Sequence, residues 1–159
     1  MIASGIPFSL GAAENEVAVG GTLRNLPMQG LTGSSTFISK YRGKPLIINV
    51  WASYCSPCLA EMGSLERLWQ GYGDEFNVIG ISIDDFRDRA AGFLAKAETS
   101  FPHYIDNRLK LENMLGANTI PLTVLIDKQG RVLKKVRGAQ EWDSTKMVEM
   151  IGQIFEINF

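Results

Sequence analysis

Two cysteines and one histidine are all the thiol or imidazole ligands that these 159 residues contain. That scarcity excludes several classes. A disulfide framework needs several bridges joining distant parts of a chain. A structural zinc needs four ligands, and Cys55, Cys58 and His103 do not make up that number. Charge is equally sparing: a formal net charge of −1 leaves no basic field to attract nucleic acid or anionic lipid, so neither is expected as a partner. No apolar run approaches the roughly 20 residues of a membrane helix, and no membrane span is expected in this chain. The first basic residue is Arg24, so the N-terminus lacks the charged start of a signal peptide. Residues 1–20, small and Gly-rich without periodicity, read as a mobile leader. They fit the remnant of a removed targeting segment as well as an artificial junction.

What is present is an ordinary globular composition, 45% hydrophobic and 21% charged, on a chain long enough for one domain with its own core. That domain is expected over residues 21–159. The runs "LRNLPMQGLTG" and "STFISKY" flank a Gly33-Ser34 turn and predict a β-hairpin. "KPLIINVWA" is apolar almost throughout, as in a central strand covered on both faces. From Pro57, apolar residues at Leu59, Met62, Leu65, Leu68 and Trp69 keep helical spacing, ending near Gly71 or Gly73. "FNVIGISID" predicts a second buried strand, and "DFRDRAAGFLAKAETS" a helix with Asp85 as N-cap. "FPHYID" reads as a short extended piece and "NRLKLENMLG" as a helix stopped by Gly116. "PLTVLID", a "KQG" turn and "RVLKKVRG" form a hairpin pattern. "WDSTKMVEMIGQIF" is amphipathic, with Met147, Met150, Ile151 and Ile154 on one face; its methionines follow helical spacing and read as core filler rather than metal ligands. Helices alternating with buried strands, then a hairpin and helix, predict an α/β fold with a central mixed sheet covered on both faces.

Both cysteines lie in "INVWASYCSPCLAEM", two residues apart. A bridge between them closes too small a loop to remove much unfolded-state entropy, so a staple is disfavoured against a bond made to be broken. The reactive species in exchange is a thiolate. At the strand-to-helix junction, Cys55 as N-cap would place its sulfur on the Cys58 N–H and at the positive end of the helix dipole. Pro57 falls in the first turn, where a missing N–H costs nothing. Cys58 is one turn in and further from water. This geometry makes Cys55 the attacking sulfur and Cys58 the resolving one. Trp51 and Tyr54 would flank the sulfur as an apolar docking face, or serve as plain packing. Glu61, one turn beyond Cys58, fits a proton relay to that sulfur and equally a solvated helix carboxylate. "NTIPLTVLID" opens a buried strand with Pro121, which removes a ladder donor and marks a special conformation. A cis Ile120–Pro121 bond would expose backbone able to pair with an incoming peptide.

These residues resemble the thioredoxin superfamily, in particular its TlpA/ResA-like branch of exported thiol–disulfide oxidoreductases. The resemblance rests on "INVWASYCSPCLAEM", "VIGISIDD", "FPHYIDN" and "IPLTVLIDKQGRVLKKVRGAQEW", in the family's order over roughly residues 23–156. "RGAQEWDS" looks most like the TlpA subgroup. The resemblance implies a thioredoxin-like three-layer sandwich with an added N-terminal β-hairpin, no cofactor, and dithiol–disulfide exchange. Cys55 and Cys58 match the nucleophilic and resolving pair, Pro121 the cis-proline, and Ile120 the residue before it. Glu61 matches the branch's carboxylate, while Asn49 stands where thioredoxin has a buried Asp. The implied partners are client proteins bearing disulfides or thiols, in cytochrome c maturation or copper-site assembly, and a membrane thiol reductase as electron donor. The implied location is periplasmic or otherwise extracytoplasmic.

Three other readings stay open. Two thiolates suit Cu(I), giving a metal-delivery protein on the same pair. A peroxide reductase would need a polarising group where Ala52 stands. An inert binding module would have no use for an intact Cys-x-x-Cys. His103 reads as a surface or loop histidine, and no metal site is expected.

Overall fold

The computed structural model describes residues 15–159. In chain order the elements are β1 (Pro27–Gly30), β2 (Thr36–Phe37), a 3-10 turn (Ile38–Tyr41), β3 (Leu46–Trp51), α1 (Ser56–Tyr72), β4 (Asn77–Ser82) and α2 (Arg87–Ala97). There follow β5 (His103–Ile105), α3 (Lys110–Leu115), β6 (Leu122–Ile126), β7 (Val132–Arg137) and α4 (Thr145–Phe155). The sheet order is β2-β1-β5-β4-β3-β6-β7. β3, β4 and β5 run parallel, while β6 is antiparallel to β3, and β1 to β5. The predicted hairpin forms, with Met28 opposite Thr36, and β1 then joins the main sheet through β5. This is the thioredoxin-like sandwich with an extended edge.

All six residues of β3 are buried, because both faces of the strand are covered. Ile48 and Val50 face one core with Ile79, Ile81, Leu122 and Val124, closed by Leu111, Met114 and Leu115 of α3. Ile47 and Trp51 face the other, with Met62 and Leu65 of α1, Phe93 of α2, and Ile151 and Phe155 of α4. Alternation along β3 therefore turns Asn49 toward the α1 side. The parallel register of β3 with β4, and Leu122 opposite Val50, bring three things to one end of the sheet: the ends of β3 and β4 and the start of β6. That end carries the Cys-x-x-Cys and the Ile-Pro corner.

Several expectations need correction. Residues 15–20 were expected in the leader but pack onto the domain. Val17 is buried and its N–H reaches the Met114 carbonyl at 2.8 Å, and Glu16 pairs with Lys135 at 2.8 Å. The rest of that leader, residues 1–14, lies outside the described residues. Asp85 does not cap α2. Phe86 holds the cap position without a side-chain bond, and the neighbouring Asp84 is the buried acid. Helix α3 starts later than expected, because Leu109 adopts a left-handed conformation (φ 58°). The Asp106 carboxylate meanwhile takes the N–H groups of Leu111 and Glu112 at 3.2 and 2.8 Å. His103 is neither a surface nor a loop residue; it is buried within β5.

Candidate active site

Strand β3 stops at Trp51, a short loop crosses to Cys55, and α1 begins at Ser56. Cys55 is the N-cap, with extended backbone (φ −100°, ψ 98°), and its Sγ accepts the Cys58 N–H at 3.2 Å. Pro57 sits in the first turn. The two cysteines form a disulfide with Cα atoms 5.2 Å apart. Cys55 keeps 8% of its surface and Cys58 none, so only one sulfur meets an incoming group. Asp84, just past β4, braces the loop. It accepts the Ser53 N–H at 2.9 Å, the Ser53 hydroxyl at 2.6 Å and the Ser82 hydroxyl at 2.7 Å. A buried carboxylate with that many donors fixes the backbone that delivers Cys55.

Glu61 lies on α1 next to Cys58's turn and is 1% exposed. Its Oε1 accepts from Asn49 Nδ2 at 2.7 Å; its Oε2 accepts from Trp142 Nε1 and the Gln140 N–H, both at 3.0 Å. Asn49 also donates to Thr123 Oγ1 at 3.0 Å, across the β3–β6 pairing. Burial raises the Glu61 pKa; the bonds from Trp142, Asn49 and the Gln140 backbone pull it back without cancelling the rise. A solvated helix carboxylate it is not. Trp142, Gln140, Thr123 and Asp84 went unrecognised in the sequence. Only Trp142 carried a local cue, the Glu-Trp in "RGAQEWDS".

The structure separates the two aromatic candidates. Tyr54 is 73% exposed beside Cys55. Trp51 is wholly buried, so the expected docking face is corrected to a core role. Its indole stacks on Phe93 with ring centroids 4.2 Å apart and donates to His103 Nδ1 at 3.1 Å. With Nδ1 accepting, the imidazole proton sits on Nε2, 2.7 Å from Thr99 Oγ1. Burial pushes the ring's pKa down to about 3. The pair fits because residue 80 is glycine: a Cβ there would overlap the imidazole and lie 2.9 Å from Trp51 Nε1. The Ile120–Pro121 bond is cis. Ile120 packs against the core that contains both cysteines, and the Pro121 carbonyl accepts the Gly138 N–H at 2.9 Å.

A buried and a partly exposed sulfur, joined at a helix N-terminus beside a buried carboxylate, suit reversible thiol–disulfide exchange. The profile of the Redoxin family matches residues 17–151. The chain belongs to the redoxin family. It is similar to the thiol-disulfide oxidoreductase ResA of Geobacillus thermodenitrificans strain NG80-2, at 29% identity over 82% of this chain and 75% of that protein. Among solved structures it superposes on a DsbE-assigned thiol:disulfide interchange protein from Chlorobium tepidum, with a TM-score of 0.79 at 24% identity, covering 87% and 98% of the two chains. A DsbF homologue from Corynebacterium diphtheriae gives a TM-score of 0.70 at 26% identity, covering 82% and 86%. This redoxin is a ResA-like thiol:disulfide oxidoreductase of thioredoxin-like fold.

Proposed function

We propose that this redoxin reduces disulfides in extracytoplasmic client proteins, with cytochrome c maturation or copper-site assembly as its setting and a membrane thiol reductase as its electron source. The observation that carries the reading is the inequality of the two sulfurs. Cys55 holds the cap position with an edge open to solvent, and Cys58 lies fully covered behind it. In the reduced protein, the Cys55 thiolate is stabilised by the Cys58 N–H and the helix end, and it attacks one sulfur of the client disulfide. A mixed disulfide forms and the client's other sulfur leaves with the electron pair. Cys58 then gives its proton to Glu61 and attacks Cys55 Sγ, closing the intramolecular bond and releasing the second client sulfur. Two electrons pass from the dithiol to the client. Tyr54 and the Ile120–Pro121 corner flank Cys55 as the client's docking surface, main chain against main chain at Ile120. The extracytoplasmic setting and the client class rest on the ResA-like character of the chain.

The test is a trap. Reduced Cys58→Ser cannot resolve, so on mixing with an extract of extracytoplasmic proteins it is expected to hold disulfide-bearing clients covalently, releasable with dithiothreitol. Cys55→Ser is expected to trap nothing and to lose turnover with a peptide disulfide. Wild-type turnover in both single variants would rule out the exchange route. A trap that captures no protein of the proposed client class would remove that assignment and leave the chemistry standing.

A further inference from the structure

Beside α1 a cleft of about 310 Å³ is lined by Ala60, Glu61, Ala139, Gln140, Ser144 and Lys146, among others. Glu61 forms part of its wall with only 1% of the residue exposed. Glu61 Oε2 is bonded to the N–H of Gln140, whose residue forms part of the same lining. Ser64 fastens this wall to the helix: its hydroxyl accepts the Trp142 N–H at 3.0 Å and donates to the Glu61 carbonyl at 2.8 Å, with the Gln140 carbonyl 3.2 Å away. Neither cysteine lines the cleft, nor do Tyr54, Pro57, Ile120 or Pro121. The point of client attachment therefore lies outside the cleft.

That arrangement bears on a problem of timing. When Cys58 gives up its proton, the client is still bound through Cys55, which lines no part of the cleft. We propose that Glu61 exchanges its proton with bulk water through this cleft, while the client remains attached. The inference rests on the relay reading of Glu61 given above and adds the route. The balance is simple: Cys58 loses a proton to the Glu61 carboxylate, its sulfur takes Cys55 Sγ from the client sulfur, and the protonated Glu61 returns its proton to water at the cleft. Trp142 Nε1 and Asn49 Nδ2 hold the carboxylate across this passage, from the loop and from β3 respectively. The charged groups near its mouth are Glu141 and Lys146, with Arg67 of α1 paired to Asp143 at 2.7 Å and to Glu141 at 3.8 Å. β3 and β6 present only the uncharged Asn49 and Thr123. Burial holds the carboxylate above its ordinary range, which suits it to accept and return a proton.

Chemical rescue on the full chain tests the route. The reduced protein is mixed with a fluorophore-labelled peptide disulfide, and decay of the mixed disulfide is timed in single turnover. Glu61→Ala is expected to slow that decay by about a hundredfold, the common worth of a general acid–base group, and formate entering by the cleft to recover about tenfold of the loss. Ala139→Trp, at an exposed rim position, is expected to abolish the recovery; with Glu61 intact it should slow decay while leaving the first attack by Cys55 unchanged. Glu61→Gln keeps the shape of the site and guards against loss of fold: it should decay as slowly as Glu61→Ala. Decay at the wild-type rate in both Glu61 variants would remove the carboxylate from the mechanism, and the relay reading with it. Slow decay that formate fails to restore, or restores equally behind Ala139→Trp, keeps the carboxylate and overturns the cleft as its route.

Discussion

Both ring nitrogens of His103 are engaged, Nδ1 by the Trp51 indole and Nε2 by Thr99. Protonation would put a second hydrogen on the nitrogen that already accepts one, inside a sealed core. Burial accordingly pushes its pKa to about 3, against 6.5 for a free ring. Between those values the unfolded chain binds more protons than the folded one, so acid removes stability, by up to about 1.4 kcal/mol per pH unit. Glu61 and Asp106 work the other way. Burial raises both, so the native state takes up their protons first, and stability falls as pH rises above the ordinary carboxylate range. His103→Asn keeps an acceptor for Trp51 and removes the titrating ring. Urea unfolding at intervals from pH 7 to 4 is expected to show the wild type losing more stability than the variant, the gap between them widening by up to about 1.4 kcal/mol per unit below about pH 6.5. Parallel pH profiles would mean that the ring protonates freely in the folded protein.

Among the elements, the junction of β3 and α1 owes its shape to a residue on neither. Asp84, just past β4, holds Ser53 by its N–H and hydroxyl, and Ser53 lies two residues before the cap. Asp84→Ala would strand those donors and the Ser82 hydroxyl in a poorly solvated place, a loss of about 2–4 kcal/mol. Unfolding of the oxidised variant in urea is expected to show that loss, and stopped-flow mixing of the reduced variant with a peptide disulfide a slower first attack by Cys55. Unchanged values for both would refute the bracing role. The same junction shows what local sequence can and cannot carry. Helix α1, its capping cysteine and strand β3 were readable because Pro57, the apolar spacing and the continuous "LIINVW" run are properties of one segment. Asp84 was not, since nothing in "ISIDDFRD" tells which of two adjacent acids turns inward. The burial of His103 and Trp51 depends on Gly80, the register partner of His103 on the neighbouring strand, and the grip on Glu61 depends on a loop 79 residues away. Pairings of that kind are set by the sheet, not by any local pattern.

At the scale of the whole molecule, the sheet divides the interior into two cores with different duties. Cys55, Cys58, Trp51 and Trp142 belong to the core beneath α1, α2 and α4. The opposite core is completed by the first described residues. Val132 and Gly130 exchange backbone bonds with Gly20, Gly21 and Leu23, and Val17 binds Met114 of α3, before the chain turns into β1 and joins β5. Val17 and Leu23 are both buried there, so this segment anchors the fold without approaching the sulfurs. Stability and exchange should then be separable by face. Leu23→Ala, which empties a buried aliphatic site, is expected to cost about 2–4 kcal/mol in urea unfolding. Its single-turnover reduction of a peptide disulfide, measured well below the unfolding midpoint, is expected to match the wild type within about twofold, because Leu23 belongs to the opposite core and, among the described residues, the two cores share only Ile83 and Ile120 as partly buried neighbours. A rate that fell in step with stability would show that the two cores move together, with the β-sheet transmitting rather than insulating.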